Sequence, residues 1–187
     1  MRKLITKGKK IDAYSEFKQL KRQNIILNKA EEFLNDGFEN IVLVGYSAGG
    51  WASLNLISRF PEKFKGAIAI NPAFAGPKKE WQKDLPEWGF FREQQVDIFK
   101  KNETLNAILF AHTNDNFEDP TTLSFFKSFK NLEFIDYSHL KPTSCDWADI
   151  DKKMSQYDGH SIPQSSCFTN FIKKNNYLIN YLFSLNF

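Results

Sequence analysis

Ser47 is the residue in this chain best placed for covalent chemistry. It sits in Gly45-Tyr46-Ser47-Ala48-Gly49, a G-x-S-x-G pattern, between the apolar run Ile41-Val42-Leu43-Val44 and an amphipathic stretch from about Ala48 to Arg59. That context gives the pattern its meaning. A serine on a very tight strand-to-helix turn holds a strained backbone and projects its hydroxyl outward. Its close neighbours must then be tiny, and Gly45 and Gly49 are expected to meet that need. The helix behind Ser47 presents free N–H groups and a positive dipole end. The Ala48 N–H is therefore expected to receive a developing oxyanion. The competing reading is a glycine-rich turn that merely packs, or that holds a phosphate at the helix end.

A serine hydroxyl is a weak nucleophile until a base removes its proton. The base is usually an imidazole held in one tautomer by a carboxylate. Three histidines are available, His112, His139 and His160, and the carboxylates nearest them in the chain include Asp115, Glu118 and Asp119. Tyr46 and Trp51 flank the serine and either shape a pocket or pack. Cys145 and Cys167 are too far apart for a CxxC site and neither lies at a turn of the Ser47 kind. If bonded, they would close a loop of roughly 20 residues around His160, worth about 3 kcal/mol in the chain-entropy picture. That bond would imply an oxidising compartment; the alternative is two free thiols.

These side chains need elements to carry them. Residues 11–36 read as a helix, because Tyr14, Phe17, Leu20, Leu27, Ala30 and Leu34 recur at three- to four-residue spacing. Asp12 is the expected N-cap and Gly37 the expected stop. The run at 41–44 suits a strand covered on both faces, and the stretch from Ala48 to Arg59 a helix ending before Pro61. Further strands are expected at 66–70, 106–111 and 132–137, a short helix at 121–130, and a last helix near Ser166 to Leu185. Strands alternating with helices predict an α/β domain: a three-layer sandwich around a mostly parallel sheet. No repeat or linker interrupts the 187 residues. Residues 76–102 carry Pro77, Pro86, Gly89, Trp81, Trp88, Phe90 and Phe91. They read either as an amphipathic helix over the sheet or as a lid whose aromatics line a pocket.

Composition removes several function classes. With 42% hydrophobic residues the chain has material for a core, so disorder is excluded. A net charge of +3 without an aromatic-interleaved basic patch is too mild for nucleic acid. No apolar run approaches the roughly 18 residues that span a bilayer. Met1 to Lys10 is basic with no apolar segment after it, so no secretory signal is read there, and the compartment stays open.

The turn Gly45-Tyr46-Ser47-Ala48-Gly49-Gly50, the following Ala67-Ile68-Ala69-Ile70-Asn71-Pro72, the strand ending in Phe110-Ala111-His112-Thr113-Asn114-Asp115 and the late Asp158-Gly159-His160 together resemble the α/β-hydrolase family. Its small esterases and dienelactone-hydrolase-like branch look closest. The resemblance implies the chain order nucleophile, acid, histidine. It assigns the acid to Asp115, ahead of Asp119 and Glu118. The base falls to His160, ahead of His139, while His112 precedes the acid and is a strand-end residue. It further implies hydrolysis of a small-molecule ester through an acyl-enzyme, with no metal or organic cofactor. Thioesters and peptides would use the same groups.

The pattern departs from the family before Ser47. Only 46 residues stand there, with one helix, where the family places several strands and, often near a His-Gly pair absent here, a second oxyanion donor. A partial α/β-hydrolase fold is therefore expected. Ile41 to Val44 would form an exposed edge that invites self-association, unless Lys3-Leu4-Ile5-Thr6 supplies a substitute strand. The alternative function is a catalytically inactive hydrolase-like fragment that binds a ligand or partner.

Overall fold

In the computed structural model, which describes residues 5–6, 9–10, 15–84, 86–145 and 159–186, four parallel strands form one sheet. They are β3 (Val42–Tyr46), β4 (Gly66–Ile70), β5 (Thr104–Ala111) and β6 (Lys130–Asp136), in that spatial order. The register pairs Val44 with Ile68, Ile68 with Ile108, and Ile108 with Glu133. Among the described residues two short strands, β1 (Ile5–Thr6) and β2 (Lys9–Lys10), pair with each other in antiparallel fashion and not with the main sheet. The expected substitute strand thus turns back on its own successor, and β3 is the edge of the main sheet.

Helices α1 (Ser15–Asn35), α2 (Ala48–Arg59), α3 (Pro86–Lys100), α4 (Ser166–Asn175) and α5 (Tyr177–Ser184) complete the layers. Successive strand residues point to opposite faces, and the sequence exploits this with two kinds of side chain. Ala67, Ala69, Ala107, Leu109 and Ala111 face α1, α2 and α3 around Trp51, Leu54, Phe99 and Phe126. Ile68, Ile108 and Phe110 face α4 and α5 around Tyr137, Phe168 and Tyr181. Alanines on the first face let α2 sit close to the strands. Val42 follows the second set, but Val44, one pleat further, is 67% exposed, because α4 and α5 do not reach the edge. Among the described residues no helix is long and apolar enough to cross a membrane.

Several element boundaries differ from the sequence expectation for local reasons. The N-cap expected at Asp12 lies outside the described residues. Gly37 adopts φ 92°, the left-handed conformation that ends α1. The short helix expected at 121–130 is a 3₁₀ segment, Ser124–Ser128. The last helix is two, because Asn176 takes φ 52° and turns the chain between α4 and α5. Residues 76–102 form a π-helical turn, Glu80–Asp84, followed by α3. In this stretch Trp81, Arg92 and Phe99 are buried, while Phe90 is exposed.

Candidate active site

The carboxyl ends of the parallel strands carry the site, the usual location of ligands in open α/β sheets. Ser47 occupies the single residue between β3 and α2. Its backbone has φ 56° and ψ −127°, a conformation costly for a non-glycine residue. Three backbone bonds hold it there. The Ser47 N–H donates to the Ile70 carbonyl at 3.0 Å, and the Ser47 carbonyl accepts from Trp51 at 3.1 Å and from Ala73 at 3.0 Å. The turn is tight enough to dictate glycine at Gly45, where a Cβ would stand 2.3 Å from the Gly49 carbonyl group. The expectation for Gly49 is corrected: a Cβ there meets nothing within 4 Å. The second crowded position is Gly50, whose Cβ would lie 3.0 Å from the Gly45 oxygen and 3.3 Å from Pro72 Cα.

Past β5, the chain turns through Asp115, which is buried. One carboxylate oxygen, Oδ1, accepts from the Phe117 N–H at 2.8 Å and the Glu118 N–H at 3.4 Å. The other, Oδ2, accepts from His160 Nδ1 at 2.8 Å. His160 Nε2 accepts the Ser47 hydroxyl at 2.9 Å. Ser47, His160 and Asp115 therefore form one hydrogen-bonded chain, with Ser47 and Asp115 carried just past β3 and β5 and His160 by the 3₁₀ segment Gly159–Gln164 ahead of α4. With Nδ1–H directed at a carboxylate, the imidazole is fixed in the tautomer that leaves Nε2 as an acceptor.

The histidine is braced on every side. Its carbonyl accepts from the Tyr46 hydroxyl at 2.7 Å and from Asn71 Nδ2 at 3.3 Å. The same Asn71 amide donates to the Gly159 carbonyl at 2.9 Å, and Asn71 Oδ1 accepts from the Tyr137 hydroxyl at 2.7 Å. The imidazole ring lies between Tyr46 and Phe117, with centroids 5.1 Å and 4.3 Å away. Tyr46 thus touches the histidine directly. Trp51 is fully buried and packs against Phe74 and Phe99. Asn71 and Tyr137 escaped the sequence reading as site residues. A positive φ of 43° at a buried asparagine following a strand is the structural sign of Asn71's role, and sequence spacing does not encode it.

The remaining candidates fall into supporting places. His112 Nδ1 accepts from the Asn114 N–H at 3.0 Å and its Nε2 donates to the Leu140 carbonyl at 2.8 Å, so it shapes the Asp115 turn. His139 packs against Phe171. Asp119 is held by Lys78; burial opposes its charge, yet bonds from Lys78, Thr122 and Thr121 keep its pKa below the usual carboxylate range. Glu118 is clamped by Arg92, at 2.6 Å from Nε and 2.8 Å from Nη2. Burial pushes the Glu118 carboxyl up, against the pull of that guanidinium. Cys145 and Cys167 are joined by a disulfide, with Cα atoms 5.4 Å apart, tying the segment after β6 to the first turn of α4. His160 falls between them in the sequence.

Ala48 opens α2, and its N–H has no carbonyl within the helix to bond. Ala48 lines one cleft, and Tyr46, Phe117 and His160 line another. The hydroxyl, the imidazole bonded to it and the free N–H groups of the first turn of α2 thus belong to consecutive or hydrogen-bonded residues.

No family model and no curated protein matches the chain. Solved structures similar to it include a monoacylglycerol lipase from Paleococcus ferrophilus, at 16% identity and a TM-score of 0.49, covering 64% of this chain and 65% of that one. A protein from Butyrivibrio proteoclasticus solved with bound ferulic acid matches at 18% identity and a TM-score of 0.49, over 63% of this chain and 58% of that one. The naproxen esterase of Bacillus subtilis matches at 14% identity and a TM-score of 0.49, over 85% of this chain and 66% of that one. The chain thus spans less than two thirds of the length of each of these structures.

Proposed function

We propose that this chain is a serine hydrolase of the α/β-hydrolase type that cleaves a carboxylic ester through an acyl-enzyme. The observation that carries the reading is the continuous hydrogen-bonded chain from Ser47 through His160 to Asp115, with the serine held in a strained turn. Ser47 Oγ attacks the substrate carbonyl while His160 Nε2 takes its proton. Asp115 holds the imidazole and offsets the charge of the imidazolium. The Ala48 N–H bonds the oxyanion of the tetrahedral intermediate. His160 then delivers the proton to the leaving alcohol, leaving an ester on Ser47. Water repeats the sequence: His160 takes a proton from it, the hydroxide attacks, and the acid departs as Ser47 regains its proton. No metal or organic cofactor enters these steps.

A fluorophosphonate probe is expected to label the wild type at Ser47 and to leave Ser47→Ala unlabelled. Asp115→Asn is expected to lower kcat by about 10³–10⁴, because the imidazole loses the partner that fixes its tautomer. A folded wild type that neither takes the probe nor hydrolyses short acyl esters would overturn the proposal. It would favour a role in binding without turnover, the reading that the uncovered edge of β3 supports.

A further inference from the structure

The two chain neighbours of Ser47 each line a cleft, Tyr46 one and Ala48 the other. The larger, about 830 Å³, lies on the Tyr46 side against His160, Phe117 and Lys78. The smaller, about 190 Å³, lies on the Ala48 side between α1 and the segment after β4. If acyl transfer occurs here as proposed above, the chemistry decides which part of the substrate enters which. The leaving oxygen must collect its proton from His160, so the alcohol occupies the larger cleft. The acyl chain occupies the smaller one. At 190 Å³ that cleft is below the size of a drug-sized pocket and suits a short chain.

We propose that the Ala48 cleft selects acyl chains ending in a carboxylate, and that Arg22 is the specificity-determining residue. The cleft has aromatic walls, Phe74 and Trp88, and a cationic rim, Lys18 and Arg22. The two cations are four residues apart on α1, so they share one face of the helix. Arg22 is half-buried and has no ion-pair partner among the described residues. Its planar fork matches a carboxylate in two parallel hydrogen bonds. Among the described residues an opposing charge, the Glu80 carboxylate, stands beside Gly76. The floor is Gln19, 2% exposed, whose Nε2 donates to the Phe74 carbonyl at 2.9 Å and the Ala73 carbonyl at 3.3 Å. Those two bonds fix the amide orientation and leave Oε1 buried without a partner. A hydroxyl or amide N–H along the acyl chain would satisfy it.

The test compares two esters of equal acyl length, ethyl hydrogen glutarate and ethyl pentanoate, in the wild type, Arg22→Gln and Arg22→Lys. The wild type is expected to favour the glutarate monoester at least tenfold in kcat/KM. That preference is expected to fall at least tenfold in Arg22→Gln and to survive in larger part in Arg22→Lys. It is also expected to shrink in 0.5 M salt, roughly as screening of a half-exposed charge demands. Fluorophosphonate labelling of Ser47 is measured on the same samples. A labelled wild type that takes pentanoate as well as glutarate, or an Arg22→Gln variant that keeps the preference, overturns this inference and leaves the hydrolase reading standing. Absence of both labelling and turnover overturns the two together.

Discussion

Gly159 is the residue at which a single methyl group would separate the histidine from its partners. A Cβ there would stand 2.3 Å from His112 Nδ1 and 2.8 Å from the Asp115 nitrogen. Neither neighbour can yield cheaply, because His112 is bonded at both ring nitrogens and the Asp115 amide belongs to the turn that presents the carboxylate. Gly159→Ala must therefore push the histidine segment outward. A displacement of about 1 Å costs on the order of 10²-fold in rate, so ester turnover is expected to fall by that factor, with Ser47 labelling slowed in parallel. Unchanged kcat would show that the segment relaxes without moving the ring. At this scale the turn at Ser47 was legible because a serine between a strand and a helix is a local pattern, whereas the choice of Asp115 and His160, which the structure brings within hydrogen-bond reach of one another, rested on the family resemblance. The sequence pointed to the wrong glycine on the helix side of the turn. Gly50 is crowded by Pro72 and Ile70, twenty or so residues away, and spacing within the motif carries no trace of that approach.

Arg92 shows how one element steadies another. It projects from α3, is buried, and grips Glu118 through two nitrogens while its Nη2 also donates to the Thr122 carbonyl at 2.8 Å. Its guanidinium lies over the Trp81 and Trp51 rings, 4.9 Å and 5.7 Å from their centroids. Glu118 lies three residues beyond Asp115, so the pair pins the far end of the turn that carries the carboxylate. Removing one partner of a buried ion pair typically costs about 3–5 kcal/mol. Arg92→Met is expected to lose stability of that order in urea denaturation. The double variant with Glu118→Gln is expected to recover part of it, since no charge is then left buried alone. No recovery would mean that the packing of Arg92, and not its charge, is what matters. The alternation of strands and helices was legible from hydrophobic periodicity alone. The Arg92–Glu118 clamp was not, because an arginine and a glutamate 26 residues apart look like any two surface charges. The division of the last helix also escaped, since Asn176 turns the chain by adopting a conformation that its neighbours do not announce.

The molecule as a whole depends on both faces of its sheet being covered, and Tyr181 reports on one of them. It projects from α5 into the second core, and its hydroxyl donates to the Asn106 carbonyl at 2.9 Å. Burial pushes its pKa up to about 12, against about 10 in an unfolded chain. The folded state therefore retains a proton that the unfolded state loses. The stabilisation is complete below about pH 10 and is lost as the pH rises towards 12. Thermal midpoints are expected to drop over this window, and Tyr181→Phe is expected to flatten the drop. An identical alkaline slope in both proteins would assign it to other groups. Coverage on both faces could be read from the continuous apolar runs. The self-contained pairing of β1 with β2 could not, because two residues of strand leave no periodicity to detect.

The outermost position of β3 has a mechanical consequence. Among the described residues, the strand that delivers Ser47 is laced to the sheet along one margin, through β4. The stiffness of its other margin is thus set by whatever docks there. A ribbon of backbone laid along Val42–Tyr46 would stiffen the turn that carries Ser47 as directly as it would join two molecules.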